Sequence, residues 1–227
     1  MNSDREVIKK VQGKSGELQL QRRGGHYEVI SNGTFLMATH NGDSERRMVK
    51  TALQHAFSAE SVLIGGLGVG FSLDEAVNHA DTVHVTVVEL EKHIIEWNRS
   101  YFKEWNRRAP ENEKARIIEA DLLAFLEKET SARWDAVCMD TDNGPDWLVR
   151  EGNSHMYKTG GLQVVYNVLR SGGVAAFWSA SYSAAFKSSL EAVFDAVWTE
   201  EVEVGRGGPD VIFYARKAGG THPSHNF

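Results

Sequence analysis

From Ser61 onward, short apolar runs alternate with longer helix-like stretches, and that alternation leaves few architectures open to the chain. Val62-Leu63-Ile64 enters a glycine loop, and a helix follows through about His79. Val83 to Val88 reads as a second strand, Ala115 to Glu119 as a third, Trp134 to Met139 as a fourth and Val174 to Trp178 as a fifth. Between them Glu91 to Asn106, Leu122 to Lys128 and a segment through Val164, Val165 and Leu169 read as helices, the last stopped by Gly172-Gly173. Tyr182 to Val197 reads as a further helix. Strands separated by helices predict a parallel sheet covered on both faces. Two closing strands, Glu201 to Val204 and Val211 to Arg216, flank a glycine-rich turn and add an antiparallel pair.

Ahead of this unit, Glu17 to Gln21, His26 to Ile30 and Thr34 to Ala38 alternate at period two, with turns at Gly24-Gly25 and Asn32-Gly33. A helix capped near Asp43 or Ser44 is expected to run to about Phe57. The expected organisation is a β-rich leader and helix over 1–57, a main domain over 58–217 and a disordered tail over 218–227. His222 and His225 in that tail read as inert. The 227 residues suffice for one real core, and a formal charge of −6 argues against broad nucleic-acid binding. No run approaches the roughly 20 apolar residues of a membrane helix, and the amino terminus lacks a secretory h-region. Cys138 is the sole cysteine and sits in an apolar strand, which excludes an internal disulfide and points to a buried thiol. A cytoplasmic location follows as the default.

In the loop Gly65-Gly66-Leu67-Gly68-Val69-Gly70, glycines let the backbone turn sharply and let a ligand approach the main chain. Glu89 ends the next strand, where an acid accepts hydrogen bonds from ribose hydroxyls. A dinucleotide site wants a third glycine where this chain has Phe71. The observed spacing, and the closing strand pair, suit a nucleoside linked to methionine instead. Asp121, after the third strand, is expected to cap the following helix and to accept the adenine amino group.

The stretch from Val62 to about Val197 resembles the spermidine synthase group of the class I methyltransferase-like fold. Ile64 to Gly70, Val88-Glu89-Leu90-Glu91, Glu119-Ala120-Asp121-Leu122 and Asp135 to Asp140 with the following Gly144-Pro145 carry the resemblance. It implies a Rossmann-like, seven-stranded methyltransferase-type sheet with an antiparallel last strand. It also implies a donor site at Gly65, Gly66, Gly68, Gly70, Glu89, Leu90, Asp121, Leu122 and Asp140 for S-adenosylmethionine or its decarboxylated form. Asp142 is the expected proton acceptor in the reaction, with Asp140 facing the donor and Asn143 and Tyr157 completing the centre. Trp147 and His155 lie in the segment expected to cover the acceptor. The family's aspartate that holds the aminopropyl amine falls on Gly68, and Arg46-Arg47 stand where a cationic polyamine is expected to enter. On those grounds methyl transfer to a small amine or other nucleophile leads, ahead of aminopropyl transfer to a polyamine and ahead of a non-catalytic nucleoside-binding protein. The expected partner is a small-molecule acceptor, with no metal, nucleic acid or membrane, and a homodimer is left open.

Overall fold

The computed structural model describes residues 5–141, 144–145, 151–204 and 208–219. The chain opens with a four-stranded antiparallel meander of β1 (Arg5–Gly13), β2 (Gly16–Arg23), β3 (His26–Ser31) and β4 (Thr34–Ala38). The Asn32-Gly33 turn joins β3 to β4 with both residues at positive φ, 48° and 82°, the handedness a tight hairpin needs.

Helix α1 (Asp43–His55) leads into the main sheet, built from β5 (Ser61–Gly65), α2 (Phe71–Asn78), β6 (His84–Glu89), α3 (Lys92–Asn98), β7 (Ala115–Glu119), α4 (Leu122–Leu126), β8 (Trp134–Met139), α5 (Thr159–Val168), β9 (Leu169–Ser179), α6 (Ala184–Glu191), β10 (Ala196–Val202) and β11 (Asp210–Arg216). Its seven strands lie in the order β10-β11-β9-β8-β5-β6-β7. β5 through β9 pair in parallel, and β11 runs antiparallel between β9 and β10. The order reverses between β5 and β8, which places the ligand crevice at their carboxyl ends.

Each face of the sheet carries its own core. Leu18, Leu20 and Val29 of the meander and Met48 and Val49 of α1 pack with Val62, Ile64 and Cys138 on one face. Leu63, Val137, Leu162, Phe177 and Phe213 fill the other. The leader therefore shares the main core. Burial pushes the Cys138 thiol up to about 12, so it is no nucleophile at neutral pH. No described helix is long and apolar enough to cross a membrane.

Four elements depart from the sequence expectation. β1 was not foreseen, because its residues are mostly exposed and offer no clean apolar face. α3 ends at Asn98 rather than near Asn106. There the fully buried Asn98 and Asn106 turn their amides onto backbone carbonyls, and Arg107 and Arg108 take positive φ, 48° and 62°. β9 starts at Leu169, directly after α5, because Gly172 (φ 75°) accommodates a register shift that keeps the strand paired with β8. Finally, α6 stops at Glu191 and the chain re-enters the sheet as β10, where Trp198 stacks on Tyr214 at 5.3 Å. The tail expectation and His222 and His225 lie outside the described residues.

Candidate active site

A cavity of about 330 Å³ opens at the carboxyl ends of β5, β6, β7 and β8. The β5–α2 loop forms its floor. Gly66 donates its N–H to Val88 O at 2.9 Å and has φ 85°; a Cβ there would stand 2.1 Å from Asp140 O, so the position admits only glycine. Gly68 (φ 53°) is different: a Cβ would meet nothing closer than Met37 Sδ at 3.7 Å and Asp140 Oδ2 at 3.9 Å. It leaves open space beside Asp140.

Glu89 points at this loop. Its carboxylate accepts the N–H of Leu67 and that of Glu91, both at 2.8 Å, which fixes the loop against β6. Burial raises the Glu89 pKa, and those two N–H groups oppose the rise. The carboxylate lines the cavity with Gly66, Gly68, Leu90, Asp121, Leu122 and Asp140. Asp121 Oδ1 also accepts Ala124 N–H at 3.1 Å and so caps α4. The loop is held from behind by Asn98, which donates to Gly68 O at 2.8 Å and whose own Oδ1 accepts from Asn106.

Other expected site residues stand elsewhere. Gly65 lies behind the cavity, where a Cβ would collide with Leu122 Cδ2 at 2.3 Å, so its bareness serves packing. Gly70 (φ 97°) starts α2 and faces Asn98 and Asn106 rather than the cavity. Tyr157 is buried edge-on against Phe186 at 5.4 Å, in the core of the far face. His155 is exposed and off the cavity, whereas its neighbour Met156 lines it. Asp142, Asn143 and Trp147 lie outside the described residues.

The arginines do not guard the entrance. Arg46 is turned onto the buried Asp74 and onto Trp105 O, and lies over the Phe71 ring; Arg47 faces Glu200 at 3.6 Å. Neither lines the cavity. What does line it is acidic: Glu45, Glu89, Glu91, Asp121, Asp140 and Asp210, with no lysine, arginine or histidine among the described lining residues. Asp140 keeps part of its surface open to the cavity, yet burial and the neighbouring Asp210 push its carboxyl up to about 7. Burial and Asp140 push Glu45 up to about 8.

Sequence reasoning missed Glu45, Trp178 and Asp210. They come from α1, β9 and β11 and meet because β9 and β11 are neighbours in the sheet and α1 packs against both. It also missed the roof, where Leu18 of β2, Ser31 of β3 and Phe35 to Ala38 of β4 close over the loop.

The family model for the spermine/spermidine synthase domain matches residues 44–190. The polyamine aminopropyltransferase 2 of Pseudomonas aeruginosa is 27% identical over 161 residues, covering 66% of this chain and 44% of that protein. The polyamine aminopropyltransferase of Sulfurisphaera tokodaii is 35% identical over 81 residues, 36% of this chain and 27% of that one. The chain thus spans less than half the length of these relatives. Among solved structures, spermidine synthase from Thermotoga maritima superposes with a TM-score of 0.79 at 16% identity, covering 94% of this chain and 73% of that one, which bears on the fold.

Proposed function

This chain belongs to the spermine/spermidine synthase family, and on that premise we propose that it moves an aminopropyl group from decarboxylated S-adenosylmethionine to an amine of the polyamine class. The observation that carries this reading is the charge of the cavity: six acidic side chains and no base among its described lining. The intact and the decarboxylated donor both carry an ammonium that such walls attract, but only intact S-adenosylmethionine adds a carboxylate that they repel; a polyamine brings ammonium groups alone. The two grounds for preferring methyl transfer both weaken. Arg46 and Arg47 are engaged elsewhere, and the space left open at Gly68 is faced by Asp140. The comparisons likewise favour aminopropyl transfer, since the matched relatives carry that name.

In this reading Glu89 uses its remaining lone pairs on the ribose hydroxyls, and Asp121 meets the adenine amino group. The acceptor nitrogen attacks the methylene carbon bonded to the sulfonium from the side opposite sulfur. The carbon–sulfur electron pair stays on sulfur and methylthioadenosine leaves. The nitrogen gives up one proton, and Asp140 and Asp142 are the acids assigned to take it. A carboxylate held near 7, as Asp140 is, matches that task at neutral pH.

Mass spectrometry of reactions with putrescine or spermidine tests the proposal. Decarboxylated donor is expected to give methylthioadenosine and an amine heavier by one aminopropyl unit. Methylated amine formed from intact S-adenosylmethionine, with none of the aminopropyl product, contradicts it.

A further inference from the structure

Behind the cavity, a hydrogen-bond network runs from α1 to the glycine loop. Arg46 follows Glu45 in the first turn of α1, and the two side chains part company. Glu45 lines the cavity, whereas Arg46 lies over the Phe71 ring, 5.1 Å from its centroid. One arm of the Arg46 guanidinium donates to Asp74 of α2, a carboxylate only 1% exposed, whose other oxygen accepts from Asn78 at 2.8 Å. The other arm donates to Trp105 O at 3.2 Å. A planar fork with fixed, divergent donors can serve both acceptors at once. Arg107 also lies 3.7 Å from Asp74, but it is largely exposed, so water screens its attraction. From Trp105 the path turns back toward the ligand. The next residue, Asn106, donates to Asn98 Oδ1 at 3.0 Å, and Asn98 donates to Gly68 O at 2.8 Å. Both amides are fully buried, so neither can exchange these partners for water without opening the structure.

We infer that Arg46 is a positioning residue: by holding Asp74 and Trp105 O together, it fixes the glycine loop to the first turn of α1. The inference rests on the reading of that loop as the floor beneath the donor's nucleoside. Arg46 does not line the cavity and acts through Trp105, Asn106 and Asn98. The fork, not the charge, carries this role. A lysine at the same place still meets the charge of Asp74, but its compact ammonium on a flexible stem cannot hold both acceptors in place. Trp105 O then loses its donor, and the segment behind Gly68 is free to shift.

Calorimetric titration of the full chain with methylthioadenosine, alongside amide hydrogen exchange, tests this. Arg46→Lys is expected to weaken methylthioadenosine at least fivefold. Exchange at Leu67 and Gly70, whose amides are bonded to Glu89 and within the loop, should accelerate at least tenfold while β8 and β9 stay protected. Arg46→Met combined with Asp74→Leu removes the buried charge pair outright, so it keeps the fold, and it should show the same losses. Asn98→Ser should weaken methylthioadenosine too, and adding it to Arg46→Lys should cost less than a further twofold, because both break one path. A merely structural role predicts losses that multiply. Thermal unfolding verifies that each variant folds. Affinity within twofold of wild type in both Arg46 variants, or losses that multiply with Asn98→Ser, overturns the assignment. If wild type binds no methylthioadenosine while exchange in the loop responds as expected, the role of Arg46 stands and the donor reading fails.

Discussion

At the scale of single residues, the site is governed by acids held where water is scarce. Glu45 is pushed up to about 8 by burial and then by Asp140, and Asp140 up to about 7 by burial and then by Asp210 and Glu89. In the unfolded chain the same groups titrate near 4. The folded protein therefore binds more protons than the unfolded chain through the range from about pH 5 to 8, and the cluster's stabilising contribution, full below the unfolded values, is lost as pH rises through 7 and 8. The ligand-free melting temperature is expected to fall by several degrees between pH 6 and 9, since each kcal/mol is worth about 2–4 °C at this size. Glu45→Gln should flatten that decline, and an unchanged slope speaks against the assignment. Sequence gave access to part of this chemistry. Glu89 was legible from its place at the end of the second strand, and Asp121 from its capping position. Glu45 and Asp210 were not, because nothing local distinguishes an acid in the first turn of a helix, or one opening a last strand, from a solvated surface charge. Tyr157 misled for the converse reason: an aromatic near a site is equally at home in a core, and here Phe186 claims it.

At the scale of elements, the meander turns an open crevice into a cavity. Glu91 ties it down: its carboxylate accepts Lys14 N–H at 2.9 Å and Ser15 N–H at 2.7 Å, so the β1–β2 turn hangs from the residue just before α3. Hydrogen bonds from backbone N–H to a carboxylate are each worth roughly 1.5–3 kcal/mol. Glu91→Ala should accelerate hydrogen exchange at Lys14 and Ser15 at least tenfold while leaving β8 and β9 protected. Unchanged exchange at the turn removes Glu91 from that role. The bounds of β4, β7 and β8 match the sequence reading residue for residue, because each is a compact run with clear punctuation at its ends. The ends of α3, α6 and the start of β9 did not, because tertiary partners decide them: Asn98 and Asn106 abandon helical spacing to hold the Gly68 loop, and Leu169 is drawn straight into the sheet.

For the whole molecule, the strand order with its reversal between β5 and β8 creates the crevice, and the alternation of strands and helices announced it from Ser61 onward. The charge inside that crevice is a property of the fold, assembled from α1, β6, the segments after β7 and β8, and β11. Neither the formal charge of −6 nor any single motif foretells it. It is this concentration of carboxylates beside a glycine loop that separates the two donors. The most direct measurement is competitive calorimetry of decarboxylated against intact S-adenosylmethionine on the full chain at low salt. The decarboxylated donor is expected to bind at least tenfold more tightly, with the gap narrowing as salt is raised. Equal or tighter binding of the intact donor contradicts the account.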